Sequence, residues 1–282
     1  RLNYQMLNES KELIKALGVL LLGIIAIRYM SYKGAIFAIS FINFASFIIV
    51  SKTILKPVDY FYFKLQDIIY LMRIGFPMML AGVLLKIQMS MDRLFLIKNV
   101  LPAEIGIYQI GIIPLTMGIV ISSIANQYVG PKLLFRYGQG KSLKYIFNKS
   151  LMVSLFIIGV MFLFWPAVLS LISFFINRWL PDYHSSLPLL SIFYFGAIFT
   201  AASITNPPVL ALNRQILSLY QSAIIVSICF IGFLIVDHHN MPIKWYAYVN
   251  VAGQILNFFA MTGISYYLVY VQKRQSQAKF SL

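Results

Sequence analysis

The sequence predicts an all-α polytopic membrane protein with about eight transmembrane helices. Composition points there first. Of 282 residues, 60% are hydrophobic and only 11% are charged, with a mean hydropathy of +0.80. Soluble domains carry about 45–50% apolar and about 25% charged residues, so this chain lacks the polar groups to keep its surface wet. Segment length points there next. The apolar residues fall into eight runs near the roughly 20 residues that a helix needs to cross a bilayer. The short alternating segments of a transmembrane barrel do not occur, and backbone groups in lipid must be satisfied within the segment, so the runs are helices. A soluble enzyme, a disordered tail and a coiled coil are excluded.

The expected spans are about 13–30, 35–50, 68–91, 105–128, 150–165, 187–205, 216–236 and 245–270. The fifth run continues past Pro166 through Val168, Leu171, Phe174 and Phe175. It is too long for one crossing, so Trp165-Pro166 is read as the membrane exit and the remainder as an interfacial helix. Trp165, Trp179 and Trp245 all fall near expected span ends, where interface anchors belong. The most polar connection, Val50–Asp67, is the best internal boundary. It divides residues 1–52, with two helices, from residues 67–272, with six. Residues 53–66 form a linker and 273–282 a tail.

The net charge is +15. In a soluble protein this would suggest nucleic-acid binding; here it orients the chain. Of the 23 Lys and Arg, 16 lie in the N-terminal segment and alternate loops, and 7 lie on the other side. By the positive-inside rule both termini are cytoplasmic. Cys229 is the single cysteine, so there is no disulfide framework. The chain opens at Arg1 without a signal-sequence pattern, as a fragment or processed chain would.

Several motifs tempt and fail. Gly138-Gln139-Gly140-Lys141-Ser142 resembles the end of a phosphate loop, but Phe135 stands where the first glycine belongs. It reads as a turn whose lysines face anionic headgroups. Transport, if any, is then secondary. His238-His239 are adjacent and point different ways on a helix, so no metal or other cofactor is expected.

The third span carries the informative pattern. Gly75, Gly82, Lys86, Ser90 and Arg93 fall on or near one helical face. Lys86 lies roughly 28 Å along the helix from Asp67, deep enough to be a functional cation. Snorkelling to the outer surface and facing an internal cavity both satisfy it. Polar stripes occur elsewhere: Asn250, Gln254 and Asn257 in the eighth span, Gln109, Thr116, Ser123 and Gln127 in the fourth, Ser218, Ser222 and Cys229 in the seventh. Each stripe fits either interhelical packing or a wet cavity. Pro77, Pro114, Pro188 and Pro207-Pro208 can kink or break their helices. All eight acids, Asp92 among them, read as loop or span-end residues. A deep lysine without a deep acid favours an anionic substrate over an organic cation.

The stretch 71–132 resembles the polysaccharide-transport family, the O-antigen-type lipid-linked oligosaccharide flippases of the multidrug/oligosaccharidyl-lipid/polysaccharide exporter superfamily. The matching elements are Gly75-Phe76-Pro77 opening a span, Asp92-Arg93 closing it, then Glu104, Gly106 and Tyr108, and Pro131 after the next span. The resemblance implies a six-helix C-terminal lobe preceded by two helices of an incomplete N-terminal lobe, with roughly four helices lying before Arg1. It implies a flippase that moves an undecaprenyl-diphosphate-linked oligosaccharide across the bacterial inner membrane by alternating access. Polysaccharide polymerase and chain-length machinery would be partners, with no nucleic acid. The expected cavity residues are Lys86, Arg93, Gln109, Asn250, Gln254 and Asn257. Whether a proton or sodium ion couples the step stays open. The alternatives are a cation-coupled multidrug exporter of the same superfamily, a membrane polysaccharide polymerase or acyltransferase, and a non-transporting scaffold.

Overall fold

The structure is a computed structural model. It describes residues 65–271 except Thr205, together with seven positions between Gly34 and Ala45. The chain divides into two compact units, Arg1–Leu65 and Gln66–Leu282. In the first, the described positions are helical, and Phe37 and Phe41 stack with ring centroids 6.3 Å apart. The rest of the two N-terminal spans, residues 53–64 of the linker and the 273–282 tail lie outside the described residues, while Leu65 and Gln66 of the linker already belong to the helix Leu65–Asn99.

The second unit is all-helical among the described residues. Its elements are α1 (Leu65–Asn99), α2 (Pro102–Gly111), α3 (Ile113–Gly138), α4 (Leu143–Trp179), a 3-10 turn (Pro181–Ser186), α5 (Leu187–Ala201), α6 (Pro207–Ala211), α7 (Gln215–His238) and α8 (Ile243–Tyr266). A π turn (Tyr267–Val271) extends α8.

Four helical segments are long and apolar enough to cross a membrane, and α2 with α3 forms a bent fifth. They mark the chain as a membrane protein. Six crossings were expected in this unit. Helix α8 has the length, at 24 residues, but Lys244, Asn250, Gln254 and Asn257 dilute its apolar character.

Helix α5 is the centre of the bundle. It is apolar on every face, and Leu189, Leu190, Phe193, Ala197, Ile198 and Ala201 are buried. A helix apolar all round belongs inside. It packs against α3, α4 and α8. Small residues permit the approach: a Cβ added to Gly118 would lie 2.7 Å from the Ala197 carbonyl oxygen. Helix α4, in contrast, buries none of its most apolar window inside the bundle. Its Phe156, Leu163 and Phe164 are exposed from the protein, as lipid-facing side chains are.

The prolines divide into two sets. Pro114 follows a 40° bend at Ile112, and Pro188 and Pro207-Pro208 open their helices, where a missing N–H costs nothing. Pro77, Pro131 and Pro166 run inside continuous helices. Two expectations are therefore corrected. Pro131 does not follow the span; α3 continues through it to Gly138. The fifth run does not break at Trp165-Pro166 either. It is one helix of 37 residues, about 55 Å long. Apolar sequence on both sides of Pro166 offers no cap to end it, and a proline in a span costs one hydrogen bond that its surroundings absorb. Trp165 is consequently mid-helix, packed 5.6 Å from the Tyr194 ring and 5.8 Å from Phe195. Trp179 and Trp245 do lie at helix ends.

The glycine-rich segment is the turn between α3 and α4. Gly140 has φ +87°, a conformation that glycine adopts without strain, and the Ser142 hydroxyl accepts a hydrogen bond from Tyr145 N at 3.2 Å to cap α4.

Candidate functional site: a buried carboxylate and an open cation on one helix

Helix α1 has two faces with opposite fates. Ala81, Gln88, Met91, Asp92 and Leu96 are buried against the bundle. These positions repeat with the helical period; Asp92 meets Tyr108 of α2 and Asn250 of α8, and the neighbouring Phe95 stacks on Phe233 of α7. Gly82, Lys86 and Ser90 lie on the opposite side, about 200° round the helix from Gln88. There they line a shallow groove with Met79, Val83, Ile87 and Leu94. A Cβ added at Gly75 or Gly82 would meet nothing within 4 Å, so neither glycine serves packing among the described residues.

The buried face carries the largest surprise. Asp92 is wholly buried, and α1 continues for seven residues beyond it to Asn99. It does not close the helix. Its Oδ2 accepts from the Tyr108 hydroxyl at 2.7 Å and from Asn250 Nδ2 at 2.7 Å. Its Oδ1 accepts from Arg93 N at 2.8 Å, and Arg93 Nε lies 3.9 Å away. The expectation that every acid is a loop or span-end residue is therefore corrected. The expected span ends at 91, whereas α1 carries Asp92 inward because partners exist for it. Burying a carboxylate costs several kcal/mol unless it is paired and hydrogen-bonded. Three donors and one guanidinium supply that.

The network extends through α8. Gln254 Nε2 lies 3.5 Å from Asn250 Oδ1, and the Thr200 hydroxyl donates to Gln254 Oε1 at 3.4 Å. Asn250 and Gln254 are buried. Their amides join α1, α5 and α8. Asn257 is half-buried, and its Oδ1 accepts from Gln221 Nε2 at 2.8 Å. Gln109 is half-buried in α2. The break at Ile112 separates it from Thr116, Ser123 and Gln127, so the fourth-span stripe does not run along one helix. Thr116, Ser123 and Gln127 are exposed on α3.

The remaining motif residues have structural partners. Glu104 sits in the first turn of α2 and accepts from Leu101 N at 3.4 Å. Gly106 faces Tyr183, which a Cβ would approach to 3.8 Å. Tyr108 is fully buried, edge-on to Phe193 with centroids 5.3 Å apart. Thus Asp92 and Tyr108, 16 positions apart, meet at one point.

Thr200 and Gln221 also bond within this network, and Gln88 packs beside it; none of the three is among the expected cavity residues. Gln88 lies one turn before Asp92 on the same face, a signal that was available. Gln88 is 1% exposed, and neither polar atom of its amide has a hydrogen-bond partner among the described residues. A Cβ on Gly253 would lie 2.5 Å from both Gln88 Nε2 and Cys229 Sγ, so a larger residue there would have to displace those side chains.

Comparison with known proteins assigns nothing. No protein-family profile, characterised protein or solved structure matches this chain.

Two chemistries are thus separated on α1. The carboxylate is spent inside the second unit. Lys86 is exposed, on a wall otherwise apolar except for Ser90, and no carboxylate among the described residues forms an ion pair with it. Arg93, 37% exposed, straddles the two: its Nη2 donates to Met89 O at 3.4 Å while Nε reaches toward Asp92.

Proposed function

We propose that the chain is the lobe of a secondary transporter that handles an anionic lipid-linked sugar. The substrate it would carry is an undecaprenyl-diphosphate-linked oligosaccharide, flipped across the bacterial inner membrane for surface polysaccharide synthesis. The observation that carries this reading is Lys86, a cation with no ion-pair partner among the described residues, on the open, apolar face of α1. Two unit charges 4 Å apart attract by about 1 kcal/mol in water and about 4 kcal/mol at an effective dielectric of 20. A diphosphate entering a poorly hydrated cavity along this face would therefore feel Lys86 strongly. Gly75 and Gly82 leave the same face without side-chain bulk. Alternating access would move the face between the two leaflets. The sequence resemblance to oligosaccharide flippases supports the substrate class.

Replacing Lys86 by alanine should abolish surface polysaccharide in cells that depend on this protein, at normal protein level. Lys86→Arg should retain it. Unchanged polysaccharide with alanine would refute the role.

One observation favours a second reading, a cation-coupled multidrug exporter. Asp92 supplies the buried carboxylate that such a carrier uses. It faces Tyr108 and Asn250, on the side of α1 opposite the open groove. That reading requires expression to protect cells from toxic organic cations, with protection lost in Asp92→Asn.

A further inference from the structure

We infer that the groove between the C-terminal half of α3 and the first turns of α4 binds the headgroup of an acidic phospholipid. The groove encloses about 370 Å³. Lys132 and Arg136, one turn apart on α3, line it together with Lys149 from α4. Between them run Leu133, Met152 and Val153. A phospholipid has the same two parts, an anionic phosphate and an acyl chain. Basic pockets between spans are where acidic lipid headgroups lodge.

The charge balance is one-sided. From Ile105 to Pro181 the sequence has six basic residues and no acidic one. Among the described residues Lys132 and Lys149 form no ion pair. Arg136 is held in place: its Nη1 donates to the Tyr145 hydroxyl, and its guanidinium carbon lies 5.8 Å from that ring's centroid. A cation already fixed loses little side-chain entropy when it meets a phosphate. Lys144, at the same end, is turned away, 5.6 Å over the Tyr270 ring. The groove is therefore more specific than a diffuse basic surface. An inorganic phosphate would use the cations and leave the apolar wall bare; a lipid uses both.

The site is independent of the Lys86 face, and its test does not require transport. The full 282-residue chain, purified in neutral detergent, is mixed with cardiolipin or phosphatidylcholine, and retained lipid is read by native mass spectrometry. Cardiolipin should be retained and phosphatidylcholine should not. Inorganic phosphate at the same concentration should leave cardiolipin in place. Lys132→Gln with Lys149→Gln should weaken retention by about fivefold per cation removed. Lys141→Gln with Lys144→Gln, outside the groove, should leave it unchanged. Equal retention of phosphatidylcholine, displacement by inorganic phosphate, or equal losses in the two double variants would each overturn the assignment. The lipid and competition arms use the unaltered chain, so a variant that fails to fold does not remove the test.

Discussion

Tyr108→Phe removes one oxygen from the interior of the second unit and nothing else. The phenyl ring keeps its edge-on contact with Phe193 at 5.3 Å, so packing is preserved and no cavity opens. What is lost is the 2.7 Å hydrogen bond to Asp92 Oδ2. A hydrogen bond to a charged group contributes about 1.5–3 kcal/mol, while interhelical hydrogen bonds in membranes average only about 0.6 kcal/mol. The two figures separate two pictures of the site. If Asp92 is an ionised acceptor shared by three donors, the substitution should destabilise the second unit by about 1.5–3 kcal/mol. Equilibrium unfolding in mixed micelles measures this directly. Asn250→Ala should cost a comparable amount, since Asn250 Nδ2 serves the same oxygen. The double variant should depart from additivity, because both donors share one acceptor. A loss below about 0.6 kcal/mol for Tyr108→Phe, or strict additivity with Asn250→Ala, would refute a buried charged hub.

Other expectations follow from single positions. Gly118→Val should block the α3–α5 approach and reduce folded protein sharply, whereas Gly82→Ala should leave stability unchanged, since its Cβ meets nothing within 4 Å; yield after detergent extraction distinguishes them. Pro166→Ala should leave stability unchanged or raise it slightly, because α4 is already continuous there; a large loss would mean that the proline shapes the helix. Ser142→Ala should cost about 1 kcal/mol through loss of the α4 N-cap, read by the same unfolding assay.

Much of this architecture is legible in the sequence, and the failures share a physical cause. Run length and composition place the helices of the second unit to within a few residues at most ends. Periodicity puts Gly82, Lys86 and Ser90 on one face, and they do line one groove. The errors arise where an element's end was inferred from a residue's cost in isolation. Pro131 and Pro166 look like stops, yet apolar sequence continues the helix beyond both. Asp92 looks like a terminus, yet Tyr108 and Asn250 make its burial tolerable. Those partners are 16 and 158 positions away, and local pattern carries no information about them. The α8 stripe shows the same limit. Asn250 and Gln254 have the spacing of a wet wall, and only the neighbouring Asp92 and Thr200 show that they join helices.

The central claim is that Lys86 meets an anionic lipid-linked substrate. Its most direct test is a flipping assay in proteoliposomes containing the protein and a fluorescent diphosphate-linked sugar lipid. Lys86→Ala should lower the flipping rate at least tenfold, Lys86→Arg should restore most of it, and an uncharged sugar lipid should be flipped poorly by all three proteins. Equal rates for the wild type and Lys86→Ala, or equal handling of the uncharged lipid, would contradict the account.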